Sequence, residues 1–450
     1  MNNLPPSAHV HRPAFRRRKL ANGLTVLIIP DERVPAISLT LMAMGGAATD
    51  PPGHAGTATL TAGLLNKGSR HRDAETLAEA VDDLGASYAA RTGRDSTTVS
   101  LAGLAEDFPS MLGLLAEIAL EPIFPADEFH TLRQRRLHGL TRSLDQPAAV
   151  ADWVFARGLY PDHPYGPPMA GTAATVAAIR ETDPAAWHGQ RFAPGNCCLA
   201  IAGAIPADKA LAAVEEKFSA WQQPLPGEPA FPQVTATPRR ILLVDRPDAP
   251  QAQIRWGHQG LARRDPRHDA ADMVNDILGG GGFSSRLMQT IRSEKGLTYG
   301  IHSGFDARLH SGPFLVSTFT PTASVGEVLT DIDNLVGVFR DEGPTAAELD
   351  AACRRLVGGY PLQFETATQV AGQLLERELY DLPEDDLETY QDRMLSVDVP
   401  QAAALARELM DPARALAVVV GDVQGMGSAP AEWGSVEMVD AGALFGGQTA

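Results

Sequence analysis

Apolar and polar positions alternate along this chain in two rhythms, one of short β-like runs and one of longer helical runs. Leu24 to Ile29 and Ile37 to Met44 are apolar and β-branched, and the turn cluster Pro30 to Pro35 between them predicts a paired ribbon. Ser96 to Leu101 alternates with period two and predicts a further strand. Spacings of three and four predict amphipathic helices near Asp73–Leu84, Ala105–Leu120 and Pro125–Leu144, after a helix from His54 to about Asn66. Pro125 suits the first turn of its helix, where a missing N–H is harmless. Leu199 to Ile205 and Leu416 to Val423 read as strands closing on Gly203 and Gly421. Strands bunched with several helices, not strictly alternating with them, predict an α+β fold: a mostly antiparallel sheet with helices on one face.

The pattern repeats itself. Arg135, Arg136, Leu137 and Gly139 recur as Arg354, Arg355, Leu356 and Gly358, 354 against 135 being a spacing of 219. Arg157, Gly158, Leu159 and Tyr160 recur as Arg377, Glu378, Leu379 and Tyr380, with 377 against 157 giving 220. Ordered strings at one spacing mark a duplicated domain. Between the copies, Pro224, Pro226, Pro229, Pro232 and Pro238 fall within Trp221–Pro238, where no apolar period runs, so this stretch is a linker. The expected organisation is an N-terminal extension (1–14), a first domain (15–220), the linker (221–238), a second domain (239–428) and a C-terminal tail (429–450).

Composition narrows the classes of function. A chain of 450 residues is long enough for two domains, and 44% hydrophobic with 21% charged residues is the make-up of a folded globular protein. A formal charge of -17 argues against a nucleic-acid partner, which calls for clustered Lys and Arg. The one basic run, Arg16 to Lys19, is short and reads as the solvated start of a strand. Cys197, Cys198 and Cys353 have neither disulfide nor metal-knuckle spacing and read as small buried hydrophobes. No stretch approaches the length of a membrane span. The first 20 residues, with Pro5, Pro6, His9, His11 and Arg12, lack the apolar core of a signal peptide. Read literally the chain is cytoplasmic; it is periplasmic if a signal was removed ahead of residue 1.

Two segments carry candidate chemistry. Gly279 to Gly282 precede Phe283, Ser284, Ser285, Arg286 and Leu287, and no Gly-Lys-Ser/Thr follows, so a phosphate loop is excluded. The run is either a flexible hinge or, through Gly280, Gly281, Gly282 and Phe283, a loop whose backbone an extended peptide can approach. Beyond it Arg292 closes a helix, and Gly296, Leu297, Thr298 and Tyr299 lead into a strand, which places Arg292 and Tyr299 near one sheet edge. A guanidinium offers a fixed fork to carbonyl or carboxylate oxygens, and a phenol offers one neutral donor to an oxyanion. The alternative is a surface Arg and a Tyr that merely pack.

Leu20 to Pro30, Asp162 to Thr172, and Ser285, Arg286 and Leu287 with Arg292, Gly296, Leu297 and Tyr299 together resemble the M16 zinc metallopeptidases, in particular their paired two-domain chains with the inverted His-x-x-Glu-His motif. The resemblance covers most of the chain and implies that Arg292 and Tyr299 contact substrate peptide in a closed chamber. It also places the family's metal ligands on Thr59 and Gly63, its general base on Ala62 and its downstream glutamate near His138 or Gly139. A hydroxyl, a methyl group and a hydrogen cannot do that work. The resemblance therefore implies a non-catalytic, substrate-binding subunit with no cofactor of its own, inactive alone. Zinc is expected in a homologous partner with the intact motif, and a peptide is the expected substrate. The alternatives are a structural subunit like the core proteins of the respiratory cytochrome complex, and a peptide-holding chamber without cleavage.

Overall fold

The computed structural model describes residues 14–446 except 226, 228–230 and 235–237. Pro5, Pro6, His9, His11 and Arg12 of the extension, Pro226 and Pro229 of the linker, and 447–450 of the tail lie outside the described residues.

Two six-stranded sheets carry the fold. The first contains β1 (Arg16–Lys19), β2 (Thr25–Pro30), β3 (Ala36–Met44), β4 (Ser87–Thr92), β5 (Ser96–Leu104) and β6 (Cys197–Gly203), in the order β1-β2-β6-β3-β5-β4. The second contains β7 (Arg240–Asp245), β8 (Ala252–Gln259), β9 (Ile301–Phe305), β10 (Pro313–Thr320), β11 (Leu416–Gly421) and β12 (Ser435–Met438), in the order β12-β7-β11-β8-β10-β9. Five strands correspond one to one. β2 and β6 are parallel and the pairs through β3, β5 and β4 antiparallel, just as β7 and β11 are parallel and the pairs through β8, β10 and β9 antiparallel. The sheets are mostly antiparallel, as the pattern implied, and Cys197 and Leu416 open equivalent strands.

The expected β2–β3 ribbon is not formed. β6 lies between them, pairing Ala200 with Leu27 on one side and Ile201 with Leu39 on the other. Every residue of β6 is buried. A strand that is apolar on both faces gains most from the middle of a sheet, and that outweighs the pairing of sequence neighbours.

Helices α1 (Thr57–Leu64), α2 (Ala74–Asp83), α3 (Phe108–Leu120), α4 (Ala126–Leu144), α5 (Pro147–Leu159), α6 (Ala173–Ala178), α7 (Asp183–Arg191) and α8 (Ala207–Phe218) come from the first half. Helices α9 (His268–Asn275), α10 (Val325–Glu342), α11 (Ala346–Gly359), α12 (Ala367–Tyr380), α13 (Asp386–Ser396), α14 (Val399–Leu409), α15 (Ala429–Trp433) and α16 (Ala441–Phe445) come from the second. One face of each sheet packs on helices of its own half: Val26, Ile28, Leu199 and Ile201 share a core with Leu112 and Val214, and Ile241, Leu243, Ala417 and Val419 share one with Leu329 and Ile332. The opposite faces are covered reciprocally. Val150, Val154 and Phe155 of α5 pack on Leu242, Val244, Leu416 and Val418 of the second sheet. Val370 and Leu374 of α12 pack on Leu27, Ile29, Cys198 and Ala200 of the first. A Cβ at Gly158 would meet Leu242 Cδ1 at 2.8 Å and Leu416 Cδ2 at 2.9 Å, so glycine lets α5 sit this close. The repeated Arg-x-Leu-Tyr strings are the two exchanged helices.

Polar contacts seal the seam. Tyr165 Oη donates to Asp95 Oδ1 at 2.7 Å, and Asp95 Oδ2 accepts from the Leu309 N–H at 2.9 Å. Tyr160 Oη donates to the Ser311 carbonyl at 2.9 Å. Phe231 of the linker lies against His310, with ring centres 4.1 Å apart. Burial holds the neighbouring His163 neutral by lowering its pKa to about 4. Arg17 of the basic run makes a two-pronged bond to Glu378 on α12, at 2.9 Å for both oxygens. Cys197, Cys198 and Cys353 are buried free thiols, each raised by burial above its ordinary pKa.

Candidate functional site

α1 carries the degenerate metal positions. Its first turn is held by Asp50, whose carboxylate accepts from the Gly56 and Ala58 N–H groups at 2.7 Å each. Burial pushes Asp50 up to about 7, against those two amides, which favour its charged form. Thr59 Oγ1 donates to the Met169 carbonyl at 2.7 Å, Ala62 is buried, and a Cβ at Gly63 would meet Leu132 Cδ2 at 2.9 Å. The position of the first ligand is spent on a backbone carbonyl, and the position of the second is filled by a neighbouring leucine. His138 is exposed on α4, and Gly139 beside it has no side chain to offer. These residues do not fit zinc, and among the described residues no group of three or more His, Cys, Asp or Glu could hold a metal ion.

The second half presents an intact constellation. After α9 the chain widens into a π-helical turn, Asp276–Gly280, closed by Gly281 N–H to Asp276 O at 2.8 Å. A second π segment, Met288–Glu294, carries Arg292 in its last turn and is followed by Lys295 N–H to Thr290 O at 3.1 Å. Such turns insert a residue into the helical register and re-aim the side chains beyond it. Gly296, at φ 65°, then turns the chain toward β9. Thr298 Oγ1 donates to Phe319 O at 2.6 Å and Thr320 Oγ1 donates to Leu297 O at 2.7 Å, which fastens this segment to β10. With Thr298 buried on the sheet, the next side chain must point outward, and Tyr299 is 78% exposed.

Phe283, Arg292 and Tyr299 meet in space. The Arg292 guanidinium carbon lies 4.3 Å from the Phe283 ring centre and 4.9 Å from that of Tyr299. Phe283 is itself 67% exposed. Two large aromatic side chains thus stand in water beside one cation, an exposed aromatic patch. Neither Arg292 nor the Tyr299 hydroxyl has an ion-pair or hydrogen-bond partner among the described residues. A guanidinium can offer paired N–H donors to a carbonyl or carboxylate, and a phenol one O–H.

The glycine run works otherwise than a plain hinge or open loop. Gly279 is buried, and a Cβ there would collide with Ser303 Oγ and stand 2.7 Å from Leu287 Cδ1. At Gly280 it would meet Asn275 Nδ2 at 2.7 Å, and at Gly281 the Arg355 guanidinium at 2.5 Å. Only Gly282, at φ 63° with nothing within 4 Å, stands open beside Phe283. Gly279 lets the turn lie against β9 and Gly281 against α11, while Gly280 closes on Asn275 of its own turn. Residues far apart in sequence hold it there: Asn275 Nδ2 donates to Ser303 O at 3.0 Å, Ser303 Oγ donates to Asn275 Oδ1 at 2.6 Å, and Arg355, of the repeated Arg-Arg-Leu string, pairs with Asp276. No local pattern announces these partners, which are 28 and 79 residues apart in the chain. Arg286 of the Ser-Arg-Leu string is also structural, bonding both Glu348 oxygens at 2.7 and 2.8 Å.

Residues 25–156 match the family model described as insulinase (peptidase family M16), and residues 180–356 match the model described as the peptidase M16 inactive domain. An uncharacterised zinc protease of Mycobacterium tuberculosis is 30% identical over 406 residues, covering 88% of this chain and 91% of that one. Another from Streptomyces coelicolor is 25% identical, covering 90% and 89%. The crystal structure of a peptidase M16 inactive domain from Pseudomonas fluorescens superposes with a TM-score of 0.85 at 28% identity, covering 91% of this chain and 98% of that one. A Helicobacter pylori protease shares the fold at a TM-score of 0.83 and 20% identity, covering 91% and 99%. A chain with this duplicated fold, an erased metal helix and these relatives belongs to peptidase family M16, as a member of the inactive-domain type.

Proposed function

We propose that this chain is the non-catalytic, substrate-binding subunit of a two-chain zinc metallopeptidase, lending Arg292 and Tyr299 to a composite site. The observation that carries the reading is the Phe283–Arg292–Tyr299 cluster: two exposed rings beside a half-buried guanidinium that has no ion pair or side-chain hydrogen bond among the described residues, in a chain whose own α1 lacks metal-binding side chains. The partner is a homologous chain with intact His-x-x-Glu-His, which holds the zinc and supplies the hydrolytic chemistry. Arg292 anchors a backbone carbonyl or carboxylate of the peptide. Tyr299 donates its O–H to the oxygen on which negative charge develops, a contact stronger in the transition state than in the ground state.

The test is to co-purify the chain with such a homologue and assay peptide cleavage. Tyr299→Phe is expected to lower turnover by about 10²- to 10³-fold, the usual effect of one lost oxyanion donor. Arg292→Ala is expected to lower kcat/KM as well. Unchanged turnover in an intact assembly would overturn the assignment and leave a structural subunit. Peptide binding by the isolated chain, with no cleavage by the pair, would instead make it a holding chamber.

A further inference from the structure

The erased metal site adjoins a cavity of about 340 Å³ walled by α4, α5 and the turn at Ala170. Leu132, which packs over Gly63, forms part of its wall, and Ala170 follows the carbonyl that Thr59 binds. Arg135 and Arg136 line it, with Trp153 and Gly139. Arg135 is exposed and Arg136 half-buried, and neither forms an ion pair or a side-chain hydrogen bond among the described residues. Burial and the adjacent Arg135 lower the pKa of Arg136 from its ordinary value, with no carboxylate acting in the other direction. A Cβ built on Gly139 would meet nothing within 4 Å.

From this arrangement we infer that the pocket binds a carboxylate, next to the place where the family motif would have put a cation. Two guanidinium forks with no acceptor among the described residues select an anion, and the planar carboxylate matches their paired N–H groups. The remaining wall is mostly apolar, Leu132, Leu140, Trp153 and Ala170, with Ser143 turning its hydroxyl to the Gly139 carbonyl at 3.0 Å, so the carboxylate is one attached to an apolar neighbourhood, as in a peptide. The volume lies at the low end of ligand pockets, roughly 300–1,000 Å³. It admits a terminal residue or one acidic side chain, not a length of extended chain. The pocket belongs to the first half and does not depend on the role given to Arg292 and Tyr299.

The experiment uses the isolated full chain and three probes in calorimetric titration: acetyl-Ala-Leu-Phe with a free C-terminal carboxylate, the same peptide as its amide, and acetyl-Ala-Glu-Phe amide. Expected is binding of the first or the third, and binding at least about tenfold weaker for the uncharged amide, since charge-assisted bonds carry the recognition. The first identifies a peptide C-terminus as the source and the third an acidic side chain. Arg135→Gln with Arg136→Gln should weaken that binding by about tenfold or more. Gly139→Leu, which fills the open space without changing charge and improves a helix interior, should do the same with the thermal midpoint kept or raised. Equal binding of the uncharged amide, no binding of either carboxylate probe, or binding unaltered in both folded variants would each overturn the inference. No partner or cleavage enters the assay, so its failure leaves the composite-site reading standing, and the converse also holds.

Discussion

At the scale of single residues, glycine and histidine are constrained by what surrounds them. Gly279→Ala forces a methyl group against Ser303 and Leu287 in a packed turn, which should destabilise by about 1–3 kcal/mol. Gly282→Ala meets no atom and bears only the left-handed backbone penalty, about 1 kcal/mol. Urea titration of both variants checks this; an equal or smaller loss at Gly279 would contradict the packing argument. His188 Nε2 donates to the Ala119 carbonyl at 2.8 Å and its ring stacks on Phe192, while His258 Nδ1 donates to Gln259 O at 2.9 Å. Burial lowers both to about 4. Each stays neutral when folded and takes up a proton when unfolded below about pH 6.5. Stability is therefore full above pH 6.5 and falls as the pH drops toward 4. Calorimetry at pH 5.5 in buffers of different ionisation enthalpy should show proton uptake on unfolding reduced by close to one in His188→Gln and in His258→Gln relative to the parent; unchanged uptake would refute buried neutral imidazoles.

Elements show where a sequence can and cannot be read. The Thr345–Glu348 capping box opens α11: Glu348 bonds the Thr345 N–H at 2.8 Å, and Arg286 grips the same carboxylate from outside. Arg286 is the first cause that holds Glu348 down to about 2. Because the folded pKa is depressed, this contribution is complete above about pH 4.5 and lost as the pH falls toward 2. Glu348→Gln should lower stability at pH 7 by on the order of 1 kcal/mol, allowing for solvent screening at a half-buried site. Its gap from the parent should close on acidification, as followed by denaturation at pH 7, 4 and 3. Strands β6 and β11 and helices α1 to α4 were legible because local apolar runs and periods dictate them. β6 entering between β2 and β3 was not, because pairing partners are chosen by burial of the whole sheet. Arg292 and Tyr299 could be picked out by type and order, but their stacking with Phe283 depends on two π-helical turns, and those depend on Asn275, Ser303, Asp276 and Arg355, which no spacing rule connects.

For the whole molecule, the exchange of α5 and α12 decides how the two halves behave. Each half sends one helix to cover the back of the other's sheet, and the buried Val, Leu and Phe side chains there contribute about 1.5–3 kcal/mol apiece. Removing one half would strip those faces bare and also break the Tyr165–Asp95–Leu309 seam, leaving a buried carboxylate short of a donor. Stability is therefore shared, although the sheets are copies of one another. The chain should unfold in a single transition, with tryptophan fluorescence and far-ultraviolet circular dichroism tracing one urea curve. Fragments 15–220 and 239–446 expressed alone should aggregate or remain unfolded, and co-expression should restore a soluble pair. Two separated transitions, or a fragment that folds alone with a sharp thermal midpoint, would show that the exchanged helices are accessory. The distinction bears on function: the proposed composite site needs Phe283, Arg292 and Tyr299 held in a fixed position from which they can meet the partner chain's metal. Reciprocal helix covering is what makes one rigid support out of two repeats.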